Sequence, residues 1–145
     1  MKIGIANDHR GYKLKKEIIK YFNDTGYNYI DFGADSEEIT DYVDYAVKLC
    51  NAVNSKEVEY GILICGTGIG MSIAANKIKG IKCARVISVE DARLAREHNM
   101  VNVIALGENT LGVEAIVSTF LNTECSKIDR YIRRNNKIND LENNL

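Results

Sequence analysis

The sequence predicts an α/β domain built on a single five-stranded, doubly wound parallel sheet. Three observations predict it. Short β-branched runs alternate with longer segments of helical spacing from one end of the chain to the other. The most apolar run, Tyr60–Cys65, lacks the in–out alternation of a half-exposed strand, as strands covered on both faces do. The length of 145 residues, with 46% hydrophobic and 27% charged residues, suits one ordinary domain with one core. Strands joined through helices return by right-handed crossovers, which makes the expected sheet Rossmann-like.

The elements follow in order. Lys2–Asn7 is the first strand. Over Gly11–Thr25, Leu14, Ile18, Ile19 and Phe22 share one helical face with lysines opposite, and Gly26 supplies a stop. Asn28–Phe32 is the second strand, closed by Gly33. Asp41–Val53 is a helix expected to turn Val43, Ala46, Val47, Cys50 and Val53 inward. Tyr60–Cys65 is the central strand, followed by a short helix over Ile69–Lys77. Lys82–Ser88 and Val89–Glu97 form the fourth strand and helix, Asn102–Leu106 and Thr110–Leu121 the fifth. A last helical segment is expected from Glu124 to about Leu141, fraying into the Asn-rich end or docking on a partner subunit. With no repeat, no linker and no proline, residues 1–145 read as one domain, with 124–145 as a C-terminal helical extension.

Charge and composition exclude several classes. A formal net charge of −1 argues against a protein that coats nucleic acid or an anionic membrane. No apolar run approaches the roughly 18 residues that span a bilayer, and Asn7-Asp8-His9-Arg10 interrupts any leader-like segment, so a cytoplasmic location is expected. The four cysteines, Cys50, Cys65, Cys83 and Cys125, lack CxxC spacing and read as reduced thiols rather than a zinc site. Any histidine chemistry must use His9 or His98.

In an open parallel sheet, ligands bind outside the carboxyl ends of the strands. The polar and reactive residues cluster after strand one (Asn7–Gly11), after strand three (Cys65–Ser72) and just before strand five (His98-Asn99). Gly66, Gly68 and Gly70 let the backbone bend tightly, and their amides at a helix start form a nest for an anion. The loop is neither GxGxxG nor a P-loop, and Met71 stands where a thiol phosphatase needs arginine. Cys65 lies beside the positive end of the helix, which favours a thiolate that serves as nucleophile or base. A small buried hydrophobe is the alternative, and it suits Cys50 and Cys83. His98, at the negative end of a helix, suits a general acid or a simple capping cation. Asp8-His9 suits a sugar or phosphate contact, although Asp8 also fits an N-cap. Tyr42 behind Asp41 suits a pocket wall. Lys127–Lys137 carries five basic residues against Asp129, with Arg130 and Arg134 on one helical face. That pair fits a phosphate monoester or a solvated basic face. These features alone also allow a non-catalytic phosphate- or nucleotide-binding module.

Together these residues resemble the type B ribose-5-phosphate isomerase family, which also includes galactose-6-phosphate isomerase subunits and allose-6-phosphate isomerase. The resemblance covers nearly the whole chain. It rests on Asp8-His9-Arg10-Gly11, Thr40-Asp41-Tyr42, Gly61–Gly70, Ala74-Ala75-Asn76-Lys77, His98-Asn99 and Arg130-x-x-x-Arg134. It implies a cofactor-free and metal-free aldose–ketose isomerisation of ribose 5-phosphate and ribulose 5-phosphate. It also implies roles. His98 opens the furanose ring as acid, with Asp8 assisting. Cys65 moves the proton from C2 to C1, Thr67 passes a proton between the two oxygens, and the amides of Gly66, Gly68, Ile69 and Gly70 stabilise the enediolate. His9, Arg130 and Arg134 hold the phosphate, while Tyr42 and Asn99 border the sugar. The resemblance further implies a homodimer, or a tetramer of such dimers, with the active site between subunits and the C-terminal arginines supplied by the partner. Two positions depart from it: Asn109 replaces an arginine common in ribose-type members, and Tyr131 replaces a frequent histidine. Asn109 motivates a six-carbon alternative, allose or galactose 6-phosphate.

Overall fold

A computed structural model describes residues 1–144. The elements run β1 (Lys2–Asn7), α1 (Tyr12–Thr25), β2 (Asn28–Asp31), α2 (Tyr42–Asn54), β3 (Tyr60–Cys65), α3 (Ile69–Asn76), β4 (Cys83–Arg85), α4 (Val89–Asn99), β5 (Val103–Gly107), α5 (Val113–Asn122) and α6 (Asp129–Asn143). The sheet has the order β2-β1-β3-β5-β4, and every pair is parallel. β3 is central, as its apolar run predicts. Successive connections diverge on either side of β1 and β3, so the crevice between their carboxyl ends is the topological switch point.

Helices cover both faces. Ile3, Ile5, Ile62, Ile64, Ile104 and Leu106 alternate onto the face packed by α1, α4 and α5. Ala6, Leu63, Cys65, Val103 and Ala105 point to the other face, under α2 and α3. The period of two along each strand thus divides the core into two layers. Phe22 anchors the first layer, fully buried with its ring 5.6 Å from those of Tyr27 and Tyr29. Phe22→Ala is expected to lower unfolding stability by about 3–5 kcal/mol, read as an earlier urea midpoint at unchanged slope.

Three expectations need correction. Val43 and Val47, predicted to face inward, are 45% and 40% exposed; α2 instead buries Ala46, Leu49, Cys50, Ala52 and Val53. Both valines lie outside the face that α2 turns to the sheet, so apolar spacing alone does not identify the buried side. β4 is three residues long, since the chain leaves the sheet at Val86, whose N–H still bonds Ala105 O. The final helix begins at Asp129 rather than Glu124; Ser126 N–H first bonds Glu97 O, tying the segment to α4 in extended form. Among the described residues, no helix is long and apolar enough to cross a membrane.

Candidate active site

The crevice at the carboxyl ends of β1 and β3 gathers one group of the predicted residues. Asp8 follows β1 and is buried; its Oδ1 accepts from Arg10 N at 2.9 Å and Gly11 N at 3.1 Å. The carboxylate therefore builds the turn that leads into α1 and holds His9 at the rim, but it does not cap the helix as the alternative reading expected: the N-cap is Gly11, with no side-chain cap. His9 donates its backbone N–H to Thr40 Oγ1 at 3.1 Å, and its Nδ1 accepts from Thr40 N at 3.3 Å. Nε2 is then the proton-bearing nitrogen of the neutral ring.

Cys65 ends β3 and is only 5% exposed. Gly68 donates its N–H to Cys65 Sγ at 3.1 Å. Gly68 adopts φ +81, and a Cβ there would lie 3.1 Å from the carbonyl carbon of Leu106, so glycine alone suits the position. Ile69 donates its N–H to Thr67 Oγ1 at 3.1 Å, and Thr67 O accepts from Arg85 Nε at 2.9 Å. The predicted nest is thus partly committed within the loop: the Gly68 amide serves the Cys65 sulfur and the Ile69 amide serves Thr67. Tyr42 lies across Gly70, where an added Cβ would meet the ring at 2.8 Å. The absence of that Cβ lets an aromatic wall close over the loop. Burial pushes the Cys50 thiol up to about 12 and raises that of Cys83 as well, while half-buried Cys125 lies in the segment before α6. Cys65 is the cysteine placed among polar loops.

The second group stands elsewhere. His98 and Asn99 end α4, and the chain then enters β5. Asn102 O accepts from Gly61 N at 3.0 Å, which places this turn beside the beginning of β3. Cys65 is at the other end of that strand, about 17 Å away along six residues. Grouping His98 with the carboxyl-end loops is therefore corrected: a residue just before a strand sits at the amino edge. Arg130 and Arg134 join His98 there. The His98 ring stacks on Tyr131 with centroids 4.2 Å apart and planes 8° from parallel. Arg130 Cζ lies 4.7 Å and Arg134 Cζ 5.9 Å from the Tyr131 centroid. Asn135, buried, donates Nδ2 to His98 O and Tyr131 O, both at 2.8 Å, and so locks α6 to the end of α4. Asn99 borders a groove of about 760 Å³ between β4, α4 and α6, with Ile138 and Leu141 on its far wall.

One chain therefore carries two groups of candidate residues at opposite ends of its strands: Asp8, His9, Tyr42 and the Cys65–Gly70 loop at one, His98, Asn99, Arg130 and Arg134 at the other. Sequence reasoning missed Thr40 as the partner of His9 and Tyr131 as the platform under His98. It also missed Arg10, whose Nε and Nη2 bind the Glu108 carboxylate at 2.9 and 2.7 Å. The Asp8–Gly11 motif quoted Arg10 without a role, and only its contact with a residue 98 positions away reveals one.

The chain is similar in sequence and fold to known proteins. The family described as Ribose/Galactose Isomerase matches residues 3–138. A relative from Escherichia coli strain K12, named ribose-5-phosphate isomerase B, is 46% identical over 113 residues, covering 78% of this chain and 76% of its own. The solved structure of Clostridium thermocellum ribose-5-phosphate isomerase B is 46% identical with a TM-score of 0.93, covering 99% of both chains. The Mycoplasma genitalium ribose-5-phosphate isomerase B, solved with bound ribulose-5-phosphate, is 36% identical with a TM-score of 0.91, covering 99% of this chain and 97% of that one.

Proposed function

The chain belongs to the ribose/galactose isomerase family, and on that premise we propose that it interconverts ribose 5-phosphate and ribulose 5-phosphate. The observation that carries this reading is the Cys65 thiol, held by the Gly68 N–H at the β1/β3 switch point with His9 and Tyr42 at the rim. As thiolate, Cys65 takes the C2 proton of the open-chain aldose and returns it to C1. The intermediate enediolate places negative charge on O1 and O2, against the loop amides that are not committed to Cys65 Sγ and Thr67 Oγ1. Thr67 passes the remaining proton between those oxygens. His98, an acid at the negative end of α4, opens the furanose ring, with Asp8 orienting the loop on the facing side. His9, Arg130 and Arg134 bind the phosphate, and Asn99 borders the sugar. No cofactor takes part in this sequence of steps.

These steps need both groups at one substrate, and a single chain keeps them at opposite ends of its strands. A homodimer resolves the separation: the His98–Arg134 edge of one subunit completes the Cys65 crevice of the other. The exposed apolar strip beside the Cys65 loop supports the same arrangement. Val43 and Val47 on α2, and Ile69 and Ile73 on α3, are four residues apart in pairs and all at least 40% exposed, which suits cover by a second subunit.

The test is a coupled assay of the isolated chain, comparing kcat/KM for ribose 5-phosphate, allose 6-phosphate and galactose 6-phosphate. A preference for ribose 5-phosphate is the expected result. A preference for a six-carbon sugar would make Asn109, at the rim beside Glu108, the sign of a longer substrate. Turnover of none of the three would leave a phosphate-binding module.

A further inference from the structure

Arg10 has no role in the steps above, yet it occupies the mouth of the same crevice. Its guanidinium lies over Gly66: a Cβ on that glycine would sit 3.7 Å from Arg10 Cζ. Glu108, which grips Arg10 through both carboxylate oxygens, donates its own backbone N–H to Gly66 O at 3.2 Å. The loops after β1, β3 and β5 thus meet at one ion pair. A cleft of about 370 Å³ opens beside it, with His9, Arg10 and Lys13 on one wall and Glu108 and Asn109 on the other. Three basic side chains issue from a single turn and helix start. Glu37 and Glu108 are the acidic groups that face them.

We infer that Arg10 is a phosphate-binding residue of this site, parked on Glu108 until a sugar phosphate enters. The side chains are 58% and 25% exposed, so exchanging one partner for another needs no repacking of the core. A phosphate monoester presents the same two-oxygen fork to the guanidinium as a carboxylate does, with more negative charge. A dianion in the cleft also repels Glu108, which favours the exchange. Hydrogen bonding from Arg10 holds the Glu108 carboxyl below its ordinary range, so the parked pair is charged at neutral pH. The competing role is a plain staple between two loops, and the two roles differ in sign when Glu108 is removed.

The inference rests on the substrate carrying a phosphate, as proposed above, but its test does not need turnover. Binding of inorganic phosphate to the full chain is measured by calorimetry for the wild type, Arg10→Ala, Arg10→Lys and Glu108→Gln. Arg10→Ala is expected to weaken phosphate binding about tenfold, and Arg10→Lys less, because lysine keeps the charge without the fork. Glu108→Gln is expected to tighten it severalfold, since the internal competitor is gone. In the isomerase assay, KM follows the same order while kcat changes little. Phosphate affinity within twofold of wild type in Arg10→Ala overturns the inference. Unchanged or weaker affinity in Glu108→Gln overturns the parking and leaves a staple. A chain that turns over no sugar phosphate yet shows these shifts would sink the proposed reaction and keep Arg10; an active chain with flat phosphate affinities would do the reverse.

Discussion

Replacing Cys65 by alanine is expected to lower kcat about 10³-fold and leave the fold standing. A general base in proton transfer contributes roughly 10²–10⁴-fold, and the crevice holds no second side chain in the place of the Cys65 sulfur. Cys65 is 5% exposed and packed in the layer with Leu63 and Ala105, so removing its sulfur deletes one atom from a small site rather than opening a large cavity. Thermal unfolding should therefore shift by only a few degrees. Cys65→Ser separates shape from chemistry: it keeps an acceptor for the Gly68 N–H but offers a hydroxyl too weakly acidic to ionise. Its activity should fall almost as far as that of the alanine variant. Two measurements check this, steady-state kcat and exchange of the C2 proton of ribose 5-phosphate in deuterated water. Retention of more than a tenth of wild-type kcat in Cys65→Ala would remove the thiolate from the mechanism.

A mixture of two inactive variants is expected to recover about a quarter of wild-type activity. Cys65→Ala damages one edge of the sheet and His98→Asn the other. If each site draws one edge from each subunit, a heterodimer of these variants contains one site with both defects and one with none. Random pairing after joint unfolding and refolding makes about half of the dimers mixed, and half of their sites complete. The separately refolded variants should stay near their individual low rates, so the gain is on the order of a hundredfold. The physical basis is the length of β3, which holds Cys65 and the Asn102 turn at opposite ends. Activity no higher than the mean of the two parents would mean that each site is built within one chain.

Much of this was legible in the chain because it depends on local order. The alternation of strands and helices, the central place of Tyr60–Cys65 and the glycine loop behind it all follow from short-range pattern. So does the turn at Asp8, whose carboxylate bonds amides only two and three residues on. The grouping of His98 with the carboxyl-end loops fails against the same local order: in a right-handed crossover, the end of a helix returns to the amino end of the next strand. Val43 and Val47 show where pattern fails. Their helical spacing marks an apolar face, but spacing does not say whether that face meets the chain's own sheet or a second subunit.

By itself, the sequence determined the parallel α/β architecture and the inventory of reactive groups: one cysteine at a strand end, one histidine at a helix end, and two arginines a helical turn apart. The tertiary structure decided how those groups are distributed and paired. It stacked His98 on Tyr131, tied His9 to Thr40, set Arg10 against Glu108, and kept the Cys65 loop a strand's length from the arginines. Each of these contacts joins segments roughly 30 to 100 positions apart. Such contacts depend on the order of strands in the sheet and on which layer each helix covers, and no local propensity encodes either.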